Sequence, residues 1–131
     1  MKAAVALPAC APRRDLTGPA LRAFFNITRR WELTADQERV LLGNPGRSTF
    51  FRWKRDLDGA LWQDTLERIS YLLGIWKALQ ILFPEPSQAD AWVRRANDAP
   101  LFGGQSALER MLAGQVADLY SVRRYLDAQR G

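Results

Sequence analysis

Apolar residues recur every three or four positions along most of this chain, which is the pattern of amphipathic helices. In the first such stretch the recurring positions are Leu21, Phe24, Phe25, Thr28 and Trp31. No segment shows a sustained alternation of apolar and polar residues that would indicate a half-buried strand. The pattern predicts an all-α protein.

The next stretch predicts two helices joined by a tight turn. Thr34 and Gln37 have the spacing of a capping box, in which each side chain satisfies a backbone N–H at the start of a helix. Gly43 is suited to end that helix after about ten residues. A new helix follows "NPG" from about Arg47. Two short helices around a glycine-containing turn predict a helix-turn-helix.

The second of these helices has an aromatic residue on each side. Phe50 and Trp53 define its buried side together with Leu57, and Phe51 lies roughly 130° away at about 100° per residue. An outward aromatic among arginines and hydroxyl groups is suited to base edges in a major groove. The alternative is that Phe51 packs on a second subunit or on the first helix. The predicted DNA-binding residues are Arg47, Ser48, Thr49, Phe51 and Arg52 at base edges, with Lys54 and Arg55 at phosphates.

A long helix is predicted from an N-cap at Asp64, with Glu67 in its first turn, to Phe83, where prolines end it. Its second half is apolar on almost every side, and such a helix must be covered on every side. We expect another copy of the chain or another protein to cover part of it; the alternative is a core made entirely within one chain. The predicted dimerisation residues are Leu72, Ile75, Trp76, Leu79, Leu82 and Phe83.

Three shorter segments complete the predicted helices. Ser87 is the expected cap of a short helix anchored by Trp92, and Ser106 with Glu109 forms a second capping box. The last helix is expected over about 115–129. Its inward residues are Leu119, Val122 and Leu126.

Charge divides the chain into unlike halves. Residues 1–60 carry 11 Lys/Arg and 6 Asp/Glu, whereas residues 61–131 carry 8 of each. A basic surplus in one half indicates an electrostatic partner such as nucleic acid, although a solvated basic face would give the same count. We expect a flexible arm at 1–15, a helix-turn-helix region at 16–60, and a dimerisation and partner-binding region at 61–131.

The composition excludes several kinds of chemistry. The chain has no histidine and a single cysteine, Cys10, so it cannot form a catalytic Ser-His-Asp triad, an imidazole metal site or an internal disulfide. No other acid/base or nucleophile pattern emerges, and we expect neither an enzyme nor a cofactor. The apolar run after Lys2 is too short for a secretion signal, and the most apolar stretch, residues 71–83, is too short for a membrane span. These features favour a reducing cytoplasm and no membrane partner.

The middle and C-terminal parts of the chain also carry recognisable motifs. They are "GRSTFFRWKRD", "LLGIWKAL" with "ILFP", "FGGQSALE" and the closing "VRRYLDAQRG". From about residue 34 onward the chain resembles the Xre/MbcA/ParS antitoxins that pair with RES-domain toxins.

The resemblance implies a dimeric antitoxin that binds operator DNA and a RES toxin acting on NAD, by degrading it or by transferring ADP-ribose. It further implies that the C-terminal segment occludes the toxin's NAD pocket, with no small-molecule substrate of its own. A solvated basic face is the alternative for the arginines there. The alternative function is a stand-alone transcriptional regulator whose C-terminal half only dimerises. The residues that the resemblance places at the toxin are Tyr120, Arg123, Arg124, Tyr125 and Arg130.

Overall fold

A computed structural model describes residues 16–131, and the predicted arm at 1–15, with Cys10, lies outside this range. Within residues 16–131 the β structure is limited to isolated bridge positions, at Leu61 and in the antiparallel pair of Ala96 with Ser106, so the all-α prediction is confirmed. No helix in this range is long and apolar enough to cross a membrane. The helices are α1 (Thr17–Arg30), α2 (Ala35–Leu41), α3 (Arg47–Asp56), α4 (Gln63–Leu82), α5 (Pro86–Ala91), a 3-10 helix (Trp92–Arg94), α6 (Ala107–Met111) and α7 (Val116–Arg130).

The predicted helix-turn-helix is formed by α2 and α3. The capping box at the start of α2 is confirmed: the Gln37 backbone N–H donates to the Thr34 hydroxyl at 3.2 Å, and the Thr34 N–H donates to the Gln37 amide oxygen at 2.9 Å. The helix spans seven residues rather than ten, because the chain turns through Gly43 and Asn44, both at positive φ. Glycine adopts this conformation without the steric cost that other residues have.

Aromatic packing fixes the orientation of α3 against α1. Phe50 is completely buried and its ring lies edge-on to Phe25 of α1, with the centroids 5.9 Å apart. Trp53, one turn later, is also buried, whereas Leu57 is half-buried at the C-cap. The predicted inward side of α3 is therefore confirmed, and its opposite side is left for another surface.

The long helix α4 lies at the centre of the fold, packed chiefly on α7 and also on α1 and α5. Leu72, Ile75 and Leu79 are at most 1% exposed within a single chain. This corrects the predicted dimerisation surface for these three residues, because α7 and α1 already cover that side of the helix. The remaining predicted residues, Trp76, Leu82 and Phe83, are half-buried.

Two of the predicted helix caps are wrong. The N-cap of α4 is Trp62, and Asp64 lies in the first turn, where its carboxylate pairs with Arg68 at 3.0 Å. The short α5 begins at Pro86, one residue before the predicted cap Ser87, because proline fits the first helical turn, where no N–H is needed. The capping box at the start of α6 is confirmed, as is the inward side of α7.

Two arginines join the helix-turn-helix region to the C-terminal region. The Arg94 guanidinium donates to the carbonyl of Trp31, at 2.6 and 2.9 Å, and to the carbonyl of Glu32. Arg30 pairs with Asp90 at 3.3 Å. The C-terminal end of α1 is thereby held against α5 and the 3-10 helix.

Candidate functional site

The outer side of α3 carries an exposed aromatic residue. Phe51 is 41% exposed, so the prediction that it faces outward is confirmed. Its ring lies edge-on to the buried Phe50 at 5.0 Å, and the Arg47 guanidinium lies 5.4 Å from its centroid. Ser48 and Arg52 are exposed beside it, while Thr49 is half-buried next to the turn that precedes α3. The outer side thus presents an aromatic edge between hydrogen-bonding groups.

The cations of α3 differ in their partners. Arg47 pairs with Asp36 of α2 at 3.3 Å, and both side chains are largely exposed. Arg55 donates to the neighbouring Asp56 at 2.8 Å; this hydrogen bond lowers the pKa of the Asp56 carboxyl and raises that of the Arg55 guanidinium. Arg52 makes no ion pair within residues 16–131. Its planar fork is therefore available to a guanine or a phosphate.

Lys54 faces the interior edge of α3 and contacts a buried carboxylate. Glu38 of α2 is 3% exposed, and the Lys54 ammonium donates to one of its oxygens at 2.7 Å. The Thr28 hydroxyl of α1 donates to the other oxygen at 2.5 Å. One carboxylate therefore connects three helices, and the charge that was assigned to a DNA phosphate is offset by Glu38.

A second exposed surface lies on α7. Tyr120 is 44% exposed and lies edge-on to Tyr71 of α4 at 5.7 Å. The Arg124 guanidinium donates to the Tyr120 hydroxyl at 3.0 Å, which raises the pKa of Arg124. Partial burial raises the pKa of Tyr71. The Glu67 carboxylate, to which the Tyr71 hydroxyl donates a hydrogen bond at 3.2 Å, raises it further. Tyr120 and Arg124 form an ordered aromatic and cationic pair at the surface.

The other predicted toxin-binding residues lie on different sides of α7. The Arg123 guanidinium packs against Gly74 of α4. A Cβ added to Gly74 would lie only 2.5 Å from the guanidinium carbon. It pairs with Asp127 at 3.6 Å, as Arg130 does at 3.7 Å.

Tyr125 points to the opposite flank of the helix. There its ring stacks on Trp92 at 6.4 Å and meets Phe102 edge-on at 5.1 Å. This half-buried residue contributes mainly to packing, so the five predicted residues do not form one surface.

Among residues 16–131 no three His, Cys, Asp or Glu side chains are grouped so that they could hold a metal ion.

The fold and these surfaces define an all-α helix-turn-helix protein with a second exposed face on its last helix. Residues 11–74 match the antitoxin Xre-like helix-turn-helix domain, and residues 78–131 match the C-terminal toxin-binding domain of Xre/MbcA/ParS antitoxins. An uncharacterized protein of Sinorhizobium fredii, y4oB, is 59% identical over 111 residues, which cover 85% of this chain and 84% of y4oB. The chain belongs to the Xre/MbcA/ParS family of antitoxins. The two matched segments meet within α4, which contributes to both.

Proposed function

We propose that this protein is the antitoxin of a type II toxin–antitoxin pair whose toxin is a RES-domain protein that degrades NAD or transfers ADP-ribose. In this proposal it acts in the cytoplasm, occludes the toxin's active site, and represses its own operon as a dimer on operator DNA. The observation that carries the proposal is the exposed Tyr120 and Arg124 pair within the segment that matches a toxin-binding domain.

The chemistry of that pair suits a protein interface. Tyrosine and arginine are enriched among the residues that contribute most to binding, because each combines a large contact area with directed hydrogen bonds. The hydrogen bond between Tyr120 and Arg124 restricts both side chains before the toxin arrives, so less conformational entropy is lost on binding. In this proposal Arg130, the last residue of α7, contacts the toxin separately from the Tyr120 and Arg124 pair.

Co-expression with the product of the neighbouring gene, which this proposal expects to be a RES protein, tests this interaction. We expect the two chains to elute together, with a mass that gives their stoichiometry. Tyr120→Ala and Arg124→Ala should weaken the complex, whereas the control Arg95→Ala, which removes an exposed cation outside α7, should leave it intact. Separate elution of the wild-type chains at micromolar concentration would contradict the proposed partner.

DNA binding is assigned to the outer side of α3. A helix of this kind enters the major groove with its N-terminal residues at base edges, which fits the exposed Ser48, Phe51 and Arg52. Helix-turn-helix proteins bind as dimers whose recognition helices are about 34 Å apart. The apolar end of α4 supports such a dimer, because Ile81 is 53% exposed next to the half-buried Leu82 and Phe83.

The alternative is a stand-alone regulator whose C-terminal half only dimerises. The same exposed α3 surface favours it. The order of genes on the chromosome distinguishes the two functions: a RES gene adjacent to this one favours the antitoxin, and an isolated gene favours the regulator.

A further inference from the structure

A cleft of about 590 Å³ opens between α1 and the C-terminal end of α3. Its floor is apolar and its edges are cationic. The residues that line it are Arg22, Ala23, Phe25, Asn26, Arg29, Lys54 and Leu57.

The electrostatics of this cleft favour an anion. Arg22 and Arg29 are exposed, and neither pairs with a carboxylate within residues 16–131. The Arg29 guanidinium donates to the neutral amide oxygen of Asn26 at 3.0 Å, which orients it without offsetting its charge. The buried Glu38 carboxylate offsets the positive charge of Lys54. The cleft is left with the charge of two arginines that have no counter-ion there.

The spacing of these arginines places both at the same edge. They are seven residues apart on α1, so they point in nearly the same direction and stand about 10 Å apart along the helix axis. Arg22 lies near the C-terminal end of α3. Gly18, one turn earlier on α1, shows this: a Cβ added there would lie 3.5 Å from the Arg22 guanidinium and 3.5 Å from the Leu57 carbonyl oxygen. The edge therefore runs beside the last turn of α3.

A helix in the major groove has a sugar-phosphate strand on each side, and contacts from its flanks fix the position of the protein on the duplex. On α3 the side chains of Lys54 and Leu57 lie on the flank that borders the cleft. A DNA duplex whose major groove holds Phe51 and Arg52 would therefore have one of its phosphate strands near this flank.

We propose that Arg22 and Arg29 form a phosphate-binding edge that holds the DNA backbone next to the bases contacted by α3. This inference rests on the proposed DNA binding and adds contacts from α1, a helix outside the helix-turn-helix. Arginine suits the role because its planar fork donates two parallel hydrogen bonds to phosphate oxygens. Phe25 and Leu57 form an apolar floor that limits the access of water to these bonds.

The salt dependence of DNA affinity tests the proposal. Each phosphate that a cation neutralises adds about 0.9 to the slope of log K against log salt concentration. Arg22→Gln and Arg29→Gln should each lower the slope by about 0.9 and weaken operator and random DNA by the same factor. Arg22→Lys and Arg29→Lys keep the charge and should keep the slope. Arg95→Gln is the matched control, because it removes one exposed charge away from the cleft.

The outcomes separate this inference from the function on which it rests. If the wild-type chain binds no DNA, the proposed DNA-binding function fails. If the wild type binds and both Gln variants keep its slope, the phosphate edge is wrong. A variant that loses operator affinity and keeps its affinity for random DNA would assign the arginine to a base, which also overturns the proposal. Circular dichroism melting of each variant shows whether the fold is retained. If a Gln variant unfolds, Arg22→Ala or Arg29→Ala, which also removes the charge, is measured in its place, and an unchanged slope in that variant overturns the proposal.

Discussion

Replacing Lys54 by methionine should destabilise the fold rather than act on DNA alone. The substitution removes the ammonium that donates to Glu38 at 2.7 Å and keeps an unbranched stem over the rings of Phe25 and Phe50. Glu38 is 3% exposed, so it would retain its hydrogen bond from Thr28 and lose its only ion-pair partner within residues 16–131.

The expected loss follows from the burial of the two partners. Removing one member of a fully buried ion pair costs about 3–5 kcal/mol, because the other charge stays in a medium of low polarity. The Lys54 side chain is 43% exposed, however, and water that replaces its ammonium can partly solvate the carboxylate. We therefore expect the free energy of unfolding to fall by about 1–3 kcal/mol.

Urea unfolding followed by tryptophan fluorescence and by far-ultraviolet circular dichroism measures this loss. The matched control is Arg52→Met, which removes an exposed cation from the same helix and should change the free energy of unfolding by about 0.5 kcal/mol or less. The double variant Glu38→Leu, Lys54→Met should regain part of the loss, since no buried charge is left without a partner. A Lys54→Met variant as stable as the wild type would refute the structural role of this pair.

Three further substitutions give separate outcomes. Arg52→Ala should weaken operator affinity by about 1–3 kcal/mol, the range for a bidentate base contact, and leave random DNA less affected, as a gel-shift titration would show. Arg94→Ala should lower the free energy of unfolding by about 1–2 kcal/mol, because the carbonyls of Trp31 and Glu32 lose charged donors, and the adjacent Arg95→Ala should be neutral in the same urea titration. Gly59→Ala should cost about 1–3 kcal/mol, since φ is +140° and its Cβ would lie 2.8 Å from the Trp53 indole nitrogen; an unchanged urea midpoint would contradict that steric account.

Local patterns in the sequence predicted the parts of the fold that depend on near neighbours. The capping boxes at Thr34 and Ser106 were predictable because both partners lie within four residues of each other. The caps at Asp64 and Ser87 were wrong, because Trp62 and Glu85 hold those positions without any side-chain hydrogen bond. Residue type alone does not identify a cap whose position is set by the surrounding chain.

Interactions between distant residues were beyond the sequence pattern. The pairing of Lys54 with Glu38 spans sixteen residues, and Glu38 is on a helix where an acidic residue would ordinarily face solvent. A buried carboxylate gives no local signal of its own. For this reason the sequence assigned Lys54 to DNA, although its neighbour Phe51 was correctly placed outward by helical periodicity.

The apolar character of α4 also led to a prediction that the fold corrects in part. The sequence indicated a helix that needs cover on every side, and the fold meets much of that need with α7 and α1 of the same chain. Leu72, Ile75 and Leu79 therefore belong to the core, and the apolar surface left for a second copy is at Ile81 and the residues that follow it.

The most direct test of the central claim measures NAD consumption by the proposed RES partner while this protein is titrated into the assay. The proposed occlusion predicts that consumption falls to background at a stoichiometric ratio, and that Tyr120→Ala with Arg124→Ala requires at least about tenfold more protein, which corresponds to about 1.4 kcal/mol. NAD consumption that continues unchanged in excess wild-type protein would contradict the account.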